Sequence, residues 1–280
     1  MNLTVEELLA GLASSATSGR DKGDRFERLV KRFLAVDAAW SQRFAEVYLW
    51  SEWPGRQNQP DRGIDLVAVE RETGALVAVQ CKFYAPGHYL TKPDIDSFLS
   101  ESGKHPFAAR LVVSTTDRWN SAAEAAIQGQ QIPVTRIGLT DLLASSIDWS
   151  QFSFAEPERL ERRPRKQLRP HQAKAMEAVR VGFQDGDRGK LIMACGTGKT
   201  LTSLRIAEDL VGAGGSVLFL VPSIALASQS LKEWSQEATV PLRTFAVCSD
   251  PKVGKRSAYE DISVVDLEIP ATTDPARLAA

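Results

Sequence analysis

The chain has 280 residues, of which 43% are hydrophobic and 25% charged, a composition typical of a globular protein. Its formal net charge of −1 gives the whole chain no positive field, so contact with a nucleic acid would have to come from local basic patches. No apolar run reaches the length of a membrane span, and three cysteines and three histidines at unrelated spacings argue against a disulfide framework or a zinc site and favour a reducing, cytoplasmic location.

The sequence up to residue 154 predicts one α/β domain at residues 21–154, preceded by a helical arm at residues 1–20. The arm contains the stretch TVEE (4–7), which has the form of a capping box at the start of a helix. Within the domain, helical spacing of apolar residues predicts helices, and alternation predicts strands. The predicted order is helix, three strands, helix, strand, helix, strand and short helix, at 22–35, 44–50, 64–70, 75–84, 93–103, 110–115, 119–129, 132–138 and 139–146.

The predicted strand 75–84 carries two polar side chains on one face. Because side chains alternate along a strand, Gln80 and Lys82 lie on the same face, opposite an apolar one. If the loop RETG (71–74) joins this strand to the preceding one, Asp65 pairs with Gln80. Burying an amide without a partner costs about 2–7 kcal/mol. The three polar groups must therefore meet water, one another or a bound ion.

The chemistry of these side chains suits cleavage of a phosphodiester bond. Oxygens of Asp65 and Gln80 are of the kind that binds Mg²⁺, which takes one or two carboxylates and keeps several waters. Lys82 could orient or deprotonate a water, or stabilise the charge that builds on a phosphate. The alternative is a half-exposed hairpin with an ordinary Asp–Lys pair, which contributes little to stability.

The segment GIDLVA, followed by QCK, resembles the PD-(D/E)xK nuclease motif in its Mrr-like form, where Gln commonly replaces the middle acid. The predicted order of elements also resembles the restriction-endonuclease-like αβββαβ fold. The resemblance implies that Asp65, Gln80 and Lys82 are catalytic and that Asp65 and Gln80 hold Mg²⁺. With Gln at position 80 in place of Glu, the site has one negative charge fewer for the metal. It also implies a role for Glu27, which matches an acid that some members place near the metal; an exposed helix charge is the alternative.

Residues 155–168 differ in composition from the sequence on either side, because they are strongly charged and contain two prolines. This pattern predicts a linker. Its basic residues could contact phosphates, or the segment could be a solvated connector. They are Arg159, Arg162, Arg163, Arg165 and Lys166.

Residues 169–280 alternate helical segments with short apolar runs. An amphipathic helix at 170–184 precedes a buried strand at 189–194, and a helix at 200–212 precedes a second buried strand at 216–223 and another helix. Apolar strands that alternate with helices are typical of a parallel, doubly wound sheet.

A glycine-rich turn, CGTGKT, joins the first of these strands to a helix, as in a phosphate-binding P-loop. Gly196 and Gly198 allow backbone N–H groups to curl around phosphate oxygens. Lys199 would reach the β- and γ-phosphates of ATP, and Thr200 would ligate Mg²⁺. The start of the helix adds its positive end.

The turn and its surroundings resemble superfamily 2 helicases, which share the departure from the general glycine pattern seen here at Met193. The stretch LRPHQ resembles their adenine-reading motif, and LVPSIALASQSLKEW resembles their motif Ia, which touches the nucleic-acid backbone. The first of these implies that Gln172 bonds to the adenine edge with support from Arg169. The residues assigned to ATP are Arg169, Gln172, Gly196, Thr197, Gly198, Lys199 and Thr200.

The predicted motor lacks parts that ATP hydrolysis needs. No apolar strand ending in paired acids follows Trp234, and the nearest candidate, ISVVDLEIP (262–270), lacks them. We therefore expect residues 169–280 to be an incomplete first RecA-like lobe, and this chain alone not to hydrolyse ATP appreciably.

A nuclease domain ahead of a superfamily 2 motor resembles the N-terminal part of single-chain type I (type ISP) restriction–modification enzymes. The resemblance implies cleavage of double-stranded DNA coupled to translocation, with Mg²⁺ and ATP as cofactors. It also implies that the rest of the motor, a methyltransferase and a target-recognition domain complete the protein. The alternatives are a catalytically inactive DNA-binding module and a truncated gene product without independent activity.

Overall fold

The computed structural model describes residues 4–57, 63–153 and 159–247. They fall into two compact units, of which the first ends at Arg163 and the second begins at Pro164. The candidate strand at 262–270 lies outside the described residues. Across the ranges given above, every helix is too short or too polar to cross a lipid bilayer.

A five-stranded mixed sheet forms the centre of the first unit. In spatial order its strands are β1 (Phe44–Leu49), β2 (Leu66–Glu70), β3 (Leu76–Lys82), β4 (Phe107–Ser114) and β5 (Val134–Ile137). The strands β1, β2 and β3 pair antiparallel, whereas β4 and β5 add in parallel. The chain reverses between β2 and β3 at a turn in which Gly74 adopts a positive φ of 68°, which a glycine tolerates without steric cost.

Helices cover both faces of this sheet. They are α1 (Val5–Ser15), α2 (Gly19–Val36), α3 (Trp40–Arg43), α4 (Lys92–Glu101), α5 (Ser121–Ile127) and α6 (Leu139–Ala144). One hydrophobic cluster joins α1, α2 and α6 to the face that bears Val77 and Val79. A second cluster joins α4 and α5 to the face that bears Ala78. The restriction-endonuclease-like order of elements predicted from the sequence is therefore confirmed.

The helix α1 packs into the first unit. It begins at the predicted capping box, in which the Thr4 hydroxyl accepts from the Glu7 N–H and the Glu7 carboxylate accepts from the Thr4 N–H. Its apolar side chains Leu8 and Leu12 are buried in the first cluster. The predicted arm therefore contributes to the core of the nuclease-like unit.

Residues from the predicted linker also pack on the first unit. Leu160 is buried in its hydrophobic cluster, and β7 (Glu161–Arg162) pairs antiparallel with β6 (Ile147–Asp148). The Arg163 N–H donates to the Ser146 carbonyl at 2.7 Å. This part of the linker is held by the first unit, whereas Leu168 packs in the small core of the second. The domain limits given by the sequence stay predictions.

The second unit contains three helices, α7 (Pro170–Asp185), α8 (Lys199–Val211) and α9 (Ile224–Glu237), as the sequence predicted. The two predicted strands, 189–194 and 216–223, pair with no strand among the described residues. Strands need backbone partners, and parallel strands also need cover on both faces. Here Ile192 is 89% exposed and Leu218 is 84% exposed, so neither condition is met within the described residues.

Candidate functional site

The candidate nuclease site lies where β2 and β3 diverge. The pairs Leu66–Val79 and Val67–Ala78 have the predicted register. At Asp65 the pairing departs from the prediction, because its N–H donates to the Val79 carbonyl at 3.0 Å, so Asp65 does not stand directly across from Gln80.

Two side chains bridge the gap between the diverging strands. The Gln80 Nε2 donates to the Gly63 carbonyl at 3.1 Å, and the Cys81 N–H donates to Asp65 Oδ2 at 2.6 Å. These bonds take the place of a backbone ladder that the separating strands can no longer form. They also bring the carboxylate of Asp65 and the amide of Gln80 to the same end of the sheet.

Gln80 is only 2% exposed, and its Oε1 has no hydrogen-bond partner among the described residues. A buried acceptor without a partner costs about 1–3 kcal/mol. A divalent cation bound by Gln80 Oε1 and the Asp65 carboxylate would remove this cost, and the oxygen donors suit Mg²⁺. In the parts of the chain that the structure describes, no three His, Cys, Asp or Glu side chains come together as a metal site, so the protein would supply few ligands.

The surroundings of Cys81 show where two carboxylates lie. Burial raises the pKa of the Cys81 thiol well above its usual range, and the charges of Asp65 and then Glu27 raise it further. The charge of Lys82 acts in the opposite direction. Glu27, on α2, and Asp65 thus both lie near this strand, although a catalytic role for Glu27 stays a prediction. The thiol stays protonated at neutral pH and packs against the first hydrophobic cluster.

Lys82 ends β3 and is half-buried. It pairs in parallel with Ser114 of β4, and its carbonyl accepts from the Thr115 N–H at 3.1 Å. The structure therefore fixes the backbone of Lys82 beside the gap between β2 and β3. Among the described residues its ammonium forms no direct ion pair.

Tyr84 and Asp94, near Lys82, were not predicted from the sequence as site residues. The Tyr84 hydroxyl donates to Asp94 at 2.7 Å, and burial would raise the pKa of the Asp94 carboxyl, but bonds from Thr91 and Tyr84 and the charge of Lys82 together lower it. Two features of the sequence could have indicated these residues. Tyr84 continues the alternation of Gln80 and Lys82, and TKPD (91–94) has the form of a capping box.

The glycine-rich turn lies directly before α8. Gly196 and Gly198 have φ angles of 74° and 78°, in the left-handed region that glycine tolerates. The Lys199 ammonium donates to the Ala194 carbonyl at 3.2 Å, and the Thr197 hydroxyl donates to the same oxygen at 2.7 Å. These two donors of the turn are therefore bonded within the turn. To bind Lys199, a phosphate would have to replace the Ala194 carbonyl as its partner.

Gln172 lies buried under this turn, at 3% exposure. Its Nε2 donates to the Gly198 carbonyl at 3.1 Å, and its Oε1 accepts from the Arg169 N–H at 2.8 Å. The amide thus joins the start of α7 to the turn. Bonding to adenine would require Gln172 to exchange these partners, and the roles of Gln172 and Arg169 in binding the base stay predictions.

A pocket of about 400 Å³ opens beside the turn. Its lining combines predicted ATP residues with charged groups, namely Lys166, Gln167, Arg169, Gln172, Gly196, Thr197, Gly198, Leu201 and Glu233. Pockets of this size hold small ligands. Next to it, the Thr200 carbonyl accepts from the Trp234 indole at 3.1 Å, which fixes the start of α8 against α9. The Mg²⁺ role of Thr200 stays a prediction.

Comparison with protein families gives two matches that divide the chain near the boundary of the two units. The family described as restriction endonuclease matches residues 35–159, and the family described as type III restriction enzyme, res subunit, matches residues 165–261. No curated protein matches the sequence.

Among solved structures, the chain is similar to the ATP-dependent Type ISP restriction-modification enzyme LlaBIII bound to DNA. The two share 37% sequence identity over 98% of this chain, with a TM-score of 0.81, and the chain spans 17% of that protein's length. The MspJI restriction endonuclease in complex with a 27-mer oligonucleotide is 18% identical over 49% of this chain and 29% of its own, with a TM-score of 0.34.

Proposed function

We propose that the chain cuts double-stranded DNA with Mg²⁺, because it joins a restriction endonuclease domain to a helicase-like domain of the restriction res-subunit family, as in type ISP restriction–modification enzymes. The helicase-like part is the N-terminal portion of an ATP-dependent DNA translocase. Further motor, methyltransferase and target-recognition domains would complete the enzyme. The thiols of Cys81 and Cys195 are free, which suits the cytoplasm.

The observation that carries the nuclease proposal is the unpartnered Gln80 Oε1 beside Asp65 at the diverging strands. When bound there, Mg²⁺ supplies positive charge that polarises a phosphodiester and acidifies a water. The Asp65 carboxylate and the Gln80 carbonyl would hold the ion in place. The Lys82 ammonium stabilises the negative charge that develops on the phosphate oxygens.

The proposal for ATP rests on the turn before α8. Its left-handed glycines present backbone N–H groups at the start of the helix, where an anion is favoured. Lys199 contributes a positive charge to the phosphates, and Thr200 a hydroxyl to Mg²⁺. The similar enzyme LlaBIII is described as ATP-dependent and as bound to DNA, which supports both partners for this chain.

A plasmid-nicking assay tests the nuclease proposal. We expect the chain to nick supercoiled DNA in Mg²⁺ and not in EDTA, and Lys82→Ala to lower the rate by about 100-fold or more, because the charge on the developing phosphate is lost. Lys92→Ala is the matched control, since Lys92 is exposed and pairs with Asp96 on the surface. Nicking by Lys82→Ala at the wild-type rate would exclude the assigned site.

A non-catalytic DNA-binding module is the second candidate. It is favoured by two bonds to backbone groups, since Gln80 donates to the Gly63 carbonyl and Asp65 accepts from the Cys81 N–H, as purely structural side chains would. A gel-shift assay in parallel with the nicking assay separates the two. DNA retention without any metal-dependent cutting would identify the binding module.

A further inference from the structure

Tyr84 lies two residues beyond the end of β3, the strand that carries Gln80 and Lys82 of the candidate site. Residues two apart share a face of a strand, so Gln80 and Lys82 lie on one face of β3, and Tyr84 follows the strand. The Tyr84 hydroxyl donates to Asp94 Oδ1 at 2.7 Å. This bond joins α4, which carries Asp94, to the chain that directly follows β3.

Asp94 is held by several hydrogen bonds. Its Oδ2 accepts from the Thr91 N–H and from the Thr91 hydroxyl, each at 2.7 Å, while Oδ1 accepts from Tyr84. Hydrogen bonds to a charged acceptor favour the charged form, and the pKa of the carboxyl is lowered although burial opposes this. Asp94 is thus a fixed negative charge at neutral pH.

Tyr84 is fixed as well. Its N–H donates to the Thr115 hydroxyl at 2.8 Å, and that hydroxyl donates to the Tyr84 carbonyl at 2.6 Å. Its ring stacks on His88 with centroids 4.2 Å apart. Burial of the phenol, followed by its bond to Asp94, raises the pKa of Tyr84 to about 12, so the hydroxyl stays a donor.

Lys82 is the last residue of β3, two positions after Gln80 and two before Tyr84. The charge of Lys82 acts to lower the pKa of Cys81 and the pKa of Asp94, so the ammonium lies near both residues. Among the described residues its ammonium forms no direct ion pair, so the nearby Asp94 carboxylate can act on its orientation without binding it.

We propose that Asp94 is a positioning residue of the nuclease site, whose carboxylate, fixed by Thr91 and Tyr84, orients the Lys82 ammonium toward a scissile phosphate bound near Asp65 and Gln80. This inference rests on the proposed nuclease function and adds a residue to it. Helix capping alone accounts for one carboxylate oxygen of Asp94, because Thr91 bonds only Oδ2. The bond from Tyr84 to the other oxygen is not part of the cap, and it joins Asp94 to the residue two positions after Lys82.

The test uses plasmid nicking by the full chain with Asp94→Asn, which keeps the shape of the side chain and removes its charge. We expect kcat to fall about tenfold or more while KM for DNA stays within about twofold, because the reacting geometry is lost and binding is not. Tyr84→Phe, which removes only the hydroxyl, should lower kcat by a smaller factor. Asp94→Glu should recover part of the loss.

Asp141→Asn is the matched control. Asp141 accepts from the Gly138 N–H at 2.9 Å at the start of α6, so it occupies the same capping position as Asp94. The inference would be overturned if Asp94→Asn and Tyr84→Phe nicked DNA at the wild-type rate. It would also be overturned if Asp94→Asn and Asp141→Asn lost the same fraction of that rate. In both cases nicking by the wild type would still support the proposed function. Absence of metal-dependent nicking in the wild type would overturn both.

Discussion

The variant Asp65→Asn is expected to lose about 100-fold or more of the Mg²⁺-dependent nicking rate, because it removes the carboxylate charge proposed to hold the cation. The substitution keeps a side-chain oxygen that can accept from the Cys81 N–H, the bond that Asp65 Oδ2 makes at 2.6 Å. The thermal unfolding midpoint should therefore stay close to that of the wild type. The rate is measured by conversion of supercoiled to open-circular plasmid.

Asp24→Asn provides the control, because Asp24 is an exposed carboxylate on α2. It should leave both the rate and the unfolding midpoint unchanged. If Asp65→Asn nicked DNA as fast as Asp24→Asn, the metal would have to bind elsewhere and the assigned role of Asp65 would be wrong.

The variant Gly198→Ala should destabilise the second unit by about 1–3 kcal/mol more than Gly196→Ala, because it leaves buried polar groups unpaired. A Cβ on Gly198 would stand 2.5 Å from Gln172 Nε2. The amide would have to move and lose its bonds to the turn. Urea unfolding measures the difference, and hydrogen exchange should locate it at the start of α7.

Gly196→Ala is a close control for this prediction. Gly196 has a similar positive φ, 74°, but a Cβ there meets nothing within 4 Å. Both variants carry the left-handed strain of about 1–2 kcal/mol, and only Gly198→Ala disturbs Gln172. Equal stability of the two variants would show that Gln172 does not join α7 to the turn in solution.

The sequence predicted most of the nuclease-like unit because local and long-range signals agree there. The loop RETG set the register between β2 and β3, and alternation along β3 separated Gln80 and Lys82 from the core. The pairing at Asp65 could not be predicted, since it depends on where the strands diverge. Asp94 was missed because its nearness to Lys82 arises from the packing of α4 on the sheet, which no local pattern reveals.

In the second unit, the pattern of apolar residues was sufficient to predict the helices but not the strands. Helix formation depends largely on local spacing, and α7, α8 and α9 were predicted. The segments 189–194 and 216–223 have the composition of buried strands, but a strand also needs partners. The amide of Gln172 illustrates a further ambiguity, because its sequence motif points to adenine whereas its observed bonds are to Gly198 and Arg169.

A crystal structure of the chain with Mn²⁺ in place of Mg²⁺ would test the nuclease site most directly, through the anomalous signal of the metal. We expect a peak bonded to a carboxylate oxygen of Asp65 and to Gln80 Oε1, with the Lys82 ammonium facing the remaining positions. Mn²⁺ bound at another place, with the Asp65 and Gln80 side chains bonded only to backbone groups, would contradict the account of this protein as a metal-dependent nuclease.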